Sequence, residues 1–189
     1  MASQSPRRRE ILKQVGFDFS VIPSDVEEKP GGTLPDEVVI ELSLQKAMDV
    51  YQKNNDNVVV IGADTVVSVD NKIMGKPADR DEAFLMLKTL QGRTHQVYTG
   101  VSLVWDHEDN GDKFGQFSFC ECTYVTFFPM TDREIREYIS TGECDDKAGS
   151  YAIQGICAKY ISKIDGDYNN VVGLPVARLY QEMKKRGLI

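Results

Sequence analysis

The sequence is short of several features that define common classes of protein. No apolar run approaches the roughly 18 residues that a membrane-spanning helix needs, and no apolar stretch follows the basic N-terminal residues as a secretory signal requires. Only two histidines are present, His95 and His107, and neither lies beside a convincing nucleophile. This disfavours catalysis by a serine–histidine or cysteine–histidine pair. We therefore expect a cytoplasmic protein whose chemistry depends on other side chains.

Basic residues are also in deficit. The 189 residues include 22 Lys and Arg against 29 Asp and Glu, which gives a formal net charge of −7. Non-specific binding to nucleic acid depends on basic side chains that displace the counterions of phosphates, so this charge opposes a nucleic-acid-binding module. A protein of this composition that handles phosphate groups must do so with a few cations placed locally.

Cysteine is too sparse for a structural framework. There are four, Cys120, Cys122, Cys144 and Cys157, and a chain of this length without a secretion signal is not expected to depend on disulfides. The alternation of a strand would place Cys120 and Cys122 on one face, but no second cysteine or histidine pair follows to complete a metal site. We expect reduced thiols that serve packing.

The pattern of apolar residues favours an α/β fold. At 189 residues the chain suits one domain, or two small lobes that share a core. Helices are predicted near 6–15, 35–53, 80–91, 132–141 and 175–186, and strands near 17–21, 58–61, 65–69, 73–74, 97–105, 117–128 and 158–164. We expect Asp79 to cap the third helix, a capping box at 131–134 to open the fourth, a turn at 70–71 and a polar connection at 107–113. In the long second helix the expected apolar stripe is Ile40, Leu44, Ala47 and Tyr51. We expect a bent mixed sheet with helices on both sides.

The N-terminal segment carries more polar groups than a helix start requires. Ser5 and Pro6 are typical first residues of a helix, and Ser3, Arg7 and Arg8 surround them. Arginine at the positive end of a helix dipole is unfavourable unless an anion completes the site. The segment therefore indicates an anion site, although a capped surface helix with solvated arginines is the plainer alternative.

A second place of interest follows the apolar run at 58–61. Asp64 stands there after Gly62 and Ala63, at what we predict to be the end of a buried strand. A carboxylate in that position is costly unless a metal, water or a hydrogen-bond donor satisfies it. A structural aspartate that caps a turn is the alternative.

Two further loops are candidates. Lys76 lies between Gly75 and Pro77, which on its own indicates only a loop lysine. Residues 145–155 combine charges, an aromatic ring and the amide of Gln154 between glycines, which is typical of a binding loop.

Glu28 and Asp64 suit a hard cation such as Mg²⁺, which takes a few carboxylates together with waters and phosphate oxygens. The cations that suit a polyphosphate are Arg7, Arg8, Lys46 and Lys76.

These segments together resemble the Maf family. The matching motifs occur in the family's order and span nearly the whole chain, at residues 2–8, 62–67, 75–77, 146–155 and 166–175. Each is weak alone, but the set is specific. Members usually have several apolar residues before the Ala-Ser pair, where only Met1 stands here, and Ser150 and Ala152 replace the commoner Ala and Gly.

The resemblance implies a fold, a reaction and a site. It implies a single domain over residues 1–189, with two lobes and a cleft between them, and the bent α/β fold of inosine-triphosphate pyrophosphatases. It implies a cytoplasmic, usually dimeric enzyme that uses Mg²⁺ or Mn²⁺. Asp64 would be the general base and a metal ligand with Glu28. The substrate-binding residues would be Ser3, Arg7, Arg8, Lys46, Thr65, Lys76 and Gln154.

The family resemblance also implies a substrate. Relatives that prefer dTTP and UTP carry the equivalents of Arg7, Thr65 and Gln154, all three of which are present here. We expect hydrolysis of these pyrimidine nucleotides to monophosphate and pyrophosphate. The alternative is a nucleotide-binding regulator of cell division without hydrolytic activity. Asp64, Glu28 and Lys76, which such a regulator could lose, are all present.

Overall fold

The protein is described by a computed structural model over residues 1–54, 58–109 and 112–189, without the side chains of 107–113. The α-helices are α1 (Pro6–Gln14), α2 (Pro35–Lys53), α3 (Arg80–Leu90), α4 (Asp132–Ser140), α5 (Tyr168–Val172) and α6 (Val176–Lys185). The strands are β1 (Val60–Val69), β2 (Lys72–Met74), β3 (Thr94–Asp109), β4 (Asp112–Phe127) and β5 (Ile161–Asp165). Short 3₁₀ turns lie at Ala148–Ser150 and Ile156–Tyr160. No described helix combines the length and the apolar character needed to cross a bilayer.

The five strands form one sheet in the order β2-β1-β3-β4-β5. All described pairings are antiparallel, so the predicted mixed sheet is wrong. The hairpin turn predicted between β1 and β2 is confirmed. Its residues Asp70 and Asn71 have φ values of 52° and 60°, as a tight hairpin turn requires. The polar connection predicted at 107–113 is mostly strand backbone, and its residues 110–111 lie outside the described part.

Three predicted strands need correction. The runs at 58–61 and 65–69 belong to one strand, β1, so Asp64 lies in the middle of a strand and not at its end. The predicted strand at 17–21 has no strand structure. Phe17 and Phe19 pack against the main core, and this packing accounts for the alternation that suggested a strand.

Helix α2 covers one face of β1 and β3. Its bounds agree with the prediction, but the predicted stripe is partly wrong: Ala47 is fully buried, whereas Ile40, Leu44 and Tyr51 are half-buried. The helix lies very close to the sheet, since a Cβ at Gly62 or Gly100 would stand 2.1 Å from a backbone oxygen of α2. The face that meets the sheet is lined by Val39, Leu42, Ser43, Ala47 and Val50. The main hydrophobic core lies on the other face of the sheet.

The first residues of the chain run along the free edge of β1. The backbone N–H of Ala2 donates to the carbonyl of Ile61 at 2.8 Å, and the Met1 ammonium donates to the carbonyl of Ser20 at 2.8 Å. Helix α1 then begins at Pro6, as predicted, next to the middle of β1. This places the N-terminal motif beside Asp64.

Two helix starts predicted from capping residues are confirmed, whereas Ser5 stands at the start of α1 without a capping hydrogen bond from its side chain. The Asp79 side chain accepts from the backbone of Glu82 at the start of α3, and Thr131 and Glu134 form a complete capping box at the start of α4. Helix α6 begins after Pro175, close to the predicted position, and short α5 was not predicted. The four cysteines are free thiols, Cys120 and Cys122 half-buried on β4 and Cys144 and Cys157 buried.

His95 is part of the core on β3. It is fully buried, its Nε2 lies 2.8 Å from the Tyr151 hydroxyl, and its ring contacts Phe127 edge-on. Burial lowers the pKa of His95 to about 4, because the imidazolium ion is poorly solvated there. The other ring nitrogen has no hydrogen-bond partner among the described residues, in keeping with a neutral ring.

This burial makes stability depend on pH. The pKa of His95 is lower in the folded state than the value of about 6.5 expected after unfolding, so the unfolded state takes up the proton first as pH falls. Its contribution is complete above pH 6.5 and is lost between about pH 6.5 and 4. We expect wild type to lose about 3 kcal/mol more unfolding free energy than His95→Gln over that interval, measured by urea denaturation. Equal losses would contradict this.

Candidate active site

A cleft of about 820 Å³ opens along the free edge of β1. Its walls come from the N-terminal segment, α2, β1, the loop after β2 and the segment 146–154. All nine residues that the sequence singled out line this cleft, namely Ser3, Arg7, Arg8, Glu28, Lys46, Asp64, Thr65, Lys76 and Gln154. Residues far apart in the sequence therefore meet in one place, with a volume in the range of small-molecule sites.

Lys46 connects two of the three carboxylates that line the cleft, those of Asp64 and Glu28. Its Nζ lies 2.6 Å from Asp64 Oδ1 and 3.0 Å from Glu28 Oε1. The side chains of Lys46 and Asp64 are 15% and 14% exposed, whereas that of Glu28 is 50% exposed. Asp64 points toward α2 because even-numbered residues of β1 face that helix, as the close contact of Gly62 with α2 shows. The ammonium thus holds both carboxylates near the same point.

Arg8 is used mainly by the protein itself. Its Nε donates to the carbonyl of Gly173 at 2.7 Å, and one terminal nitrogen donates to Ser3 Oγ at 3.1 Å and to the carbonyl of Ala63 at 2.9 Å. The other terminal nitrogen donates to Thr65 Oγ1 at 3.0 Å. Burial lowers the pKa of Arg8, and the neighbouring Asp64 opposes that shift. Four of its five N–H groups are occupied, which leaves one for a ligand.

The Thr65 hydroxyl is also engaged. Its oxygen lies 2.9 Å from Thr99 Oγ1, and the Thr99 hydroxyl donates to the carbonyl of Asn170 at 3.0 Å. Because Thr99 uses its only proton on Asn170, the Thr65 proton must point to Thr99. Toward a ligand, Thr65 can therefore only accept a hydrogen bond.

Three further cations line the cleft, Arg7, Lys76 and Lys147. Arg7 lies 4.0 Å from the exposed Asp146 carboxylate, Lys76 is exposed, and Lys147 pairs with Asp146. Lys147 was not singled out from the sequence, although it lies in the predicted binding loop. Its position beside small residues of the 146–155 motif was the available signal.

The loop at 146–155, which carries Asp146 and Lys147, packs against β1. Gly149 has a φ of +67°, and a Cβ there would stand 2.9 Å from the side chain of Val67. Its N–H donates to the carbonyl of Gly75 at 3.0 Å, which joins this loop to the one that carries Lys76. Gln154, further along, is exposed at the mouth of the cleft.

The carboxylates of the cleft could supply some, but not all, of the ligands of a hard cation. No group of three or more metal-ligating side chains occurs in the described ranges, but Glu28 and Asp64 converge on the Lys46 ammonium. Two carboxylates fit Mg²⁺, which commonly takes one or two of them and completes its shell with waters and phosphate oxygens. The residues present therefore fit a divalent cation that arrives with a phosphorylated ligand.

The fold and cleft define an α/β protein in which cations from several segments surround a pair of carboxylates, a composition suited to phosphate groups. The chain belongs to the Maf family, since the family model described as Maf-like protein matches residues 1–186.

Similar proteins extend over nearly the full chain. A dTTP/UTP pyrophosphatase of Thermoanaerobacter sp. (strain X514) is 50% identical over 98% of this chain and 94% of its own length. Proteins with the same description from Carboxydothermus hydrogenoformans and Bacillus cereus (strain G9842) are 50% and 45% identical, over 99% and 98% of this chain and 97% and 93% of their own lengths.

The Arg8 network generates a prediction about stability. Arg8→Lys keeps the charge but cannot reproduce four bonds from a planar fork, so we expect it to lower the unfolding free energy by about 2–3 kcal/mol. The matched control is Arg9→Lys at the exposed next residue, which should change it by less than about 0.5 kcal/mol. Equal effects in denaturant titrations would show that the network contributes nothing measurable.

Proposed function

We propose that the protein is a nucleoside triphosphate pyrophosphatase that hydrolyses dTTP and UTP to the monophosphate and pyrophosphate. The observation that carries this proposal is the convergence of Asp64, Glu28 and Lys46 with cations from separate segments in one cleft. Relatives described as dTTP/UTP pyrophosphatases, 45–50% identical to this chain, support it. Retention of the carboxylates and cations argues against a regulator that has lost hydrolysis.

Asp64 is proposed as the general base. It would accept a proton from a water whose oxygen attacks the α-phosphorus, and the bond from that phosphorus to the α–β bridging oxygen would break. Pyrophosphate then leaves with the bridging oxygen. Lys46, at 2.6 Å from Asp64, holds the carboxylate in position at the edge of the cleft.

Asp64 and Glu28 are proposed to hold a Mg²⁺ or Mn²⁺ ion. The chemistry that such a cation supplies is neutralisation of phosphate charge in the transition state. The cations Arg7, Lys76 and Lys147 would bind the β- and γ-phosphates by charge-assisted hydrogen bonds. The Ser3 hydroxyl accepts from Arg8 and from the Ser5 backbone, so its own proton is available for a phosphate oxygen.

Gln154 is proposed to recognise the base. Uracil and thymine present an N3–H donor beside the O4 acceptor, and a primary amide meets both with its own oxygen and NH₂ group. Thr65, as an acceptor, would suit a hydroxyl of the sugar. A carboxylate at 154 would repel O4 and favour the adjacent N–H donors of guanine.

Three further properties are proposed from the family resemblance. The antiparallel sheet with helices on both faces would be a form of the bent fold of inosine-triphosphate pyrophosphatases. Residues 1–189 would form a single domain with two lobes on either side of the cleft. The enzyme would act as a cytoplasmic homodimer.

Replacing Asp64 tests the reaction. Asp64→Asn should lower kcat for dTTP by about 10²–10⁴ with little change in nucleotide binding, as expected for a lost general base. The assay follows pyrophosphate and monophosphate with Mg²⁺, with exposed Asp18→Asn as the control. A variant that keeps more than about a third of the wild-type kcat would remove Asp64 from the mechanism. The metal requirement is tested with the wild-type enzyme: full turnover in the presence of a chelator would contradict the proposed role of a divalent cation.

Replacing Gln154 tests the base specificity. We expect kcat/KM for dTTP and UTP to exceed that for CTP, and all three to exceed that for ATP and GTP. Gln154→Glu should remove most of the dTTP and UTP activity, because a site built to pair polar groups discriminates strongly against a mismatch. If Gln154→Glu slows all five nucleotides alike, Gln154 only supports the loop and does not recognise the base.

A further inference from the structure

The amide proposed to recognise the base is not fixed by a hydrogen bond to any side chain that the structure describes. Within the described part of the chain, no hydrogen bond involves the Gln154 side chain, which is exposed at the cleft mouth. Its position is therefore set by its backbone. Gln154 lies in a turn closed by the Gly155 N–H, which donates to the carbonyl of Ala152 at 3.3 Å.

Both ends of this turn are bound to one pair of side chains, Tyr138 in the last turn of α4 and Glu143 in the turn that follows the helix. The Tyr138 hydroxyl accepts from the N–H of Ala152 at 3.2 Å and donates to Glu143 Oε1 at 2.9 Å. The Glu143 carboxylate also accepts from the N–H of Ile156 at 2.8 Å and from that of Cys157 at 3.4 Å. One carboxylate thus satisfies three donors around the turn.

The backbone of the turn is shaped to admit this carboxylate. A Cβ at Gly155 would stand 2.0 Å from Glu143 Oε2, so glycine is required for the approach seen here. Tyr138 is 2% exposed and belongs to the main core, which makes the pair a rigid support. The connection runs from the core through Tyr138 and Glu143 to the backbone on both sides of Gln154.

We propose that Glu143, supported by Tyr138, is a positioning residue for pyrimidine recognition by Gln154. This inference rests on the proposed function. Glu143 itself contacts no substrate; it sets the orientation in which the Gln154 amide meets the base. A displacement of about 1 Å in a positioning group costs up to about 100-fold, so loss of this support should weaken discrimination between bases.

The test compares Glu143→Gln with wild type. A glutamine has one oxygen in place of two and would turn its NH₂ group toward a backbone N–H, so it cannot satisfy all three donors. We expect the ratio of kcat/KM for dTTP to kcat/KM for GTP to fall about 10-fold to 100-fold. The matched control is Glu137→Gln, an exposed carboxylate in α4 that pairs with Arg133, and its ratio should stay at the wild-type value.

A double-mutant cycle separates positioning from general support of the fold. If Glu143 acts through Gln154, adding Glu143→Gln to Gln154→Ala should change the nucleotide ratio by less than about twofold. Where Glu143→Gln does not fold, Tyr138→Phe removes the hydroxyl at the other end of the turn and should lower the ratio in the same direction.

The outcomes distinguish this inference from the proposed function. A wild-type protein that hydrolyses no pyrimidine triphosphate would contradict the proposed function. A wild-type enzyme that prefers dTTP, with the preference unchanged in both Glu143→Gln and Tyr138→Phe, would overturn the inference alone. An equal loss for all nucleotides with an unchanged ratio would also overturn it, because that is the result of a merely structural role.

Discussion

The Arg8 guanidinium joins three parts of the chain that are far apart in sequence. It binds Ser3 in the N-terminal segment, Ala63 and Thr65 on β1, and Gly173 after α5. These contacts fix the start of α1 against the free edge of the sheet, where the cleft opens. A planar group with five donors suits this role better than an ammonium, and it stays charged when burial lowers its pKa. The placement of Ser3 and of the start of α1 beside Thr65 follows from this junction.

Features decided by a few neighbouring residues were predictable from the sequence. Capping at Asp79, the capping box at Thr131 and the reversal at Asp70 depend on local hydrogen bonds and backbone preferences, and the structure has each of them. Several residues that line the cleft lie in motifs dense in charge and glycine, which have few structural uses, whereas the family resemblance implied the roles of residues such as Lys46 inside α2. Their assembly into one cleft is a fact of the structure, whereas their roles stay proposals.

Features decided by distant contacts were not predictable in this way. The antiparallel pairing of every described strand depends on which strands become neighbours, and periodicity carries no such information. The buried face of α2 is set by its contact with Gly62 and Gly100, where the helix backbone replaces side chains. The role of Glu143 could not be predicted from neighbouring residues, because its carboxylate accepts from backbone N–H groups 13 and 14 residues further along the chain.

The charge distribution of the cleft has a consequence for how an anion reaches it. Five cations and three carboxylates line the cleft, whereas the chain as a whole carries −7. At physiological ionic strength the field of exposed charges decays over about 8 Å. The negative charge of the protein surface therefore repels an anion from outside the cleft, whereas the cations of the cleft attract it only at short range. A polyphosphate would feel repulsion first and attraction only at the mouth. Added salt screens the long-range repulsion more than the short-range attraction, so the association rate of a polyphosphate should be highest at moderate ionic strength.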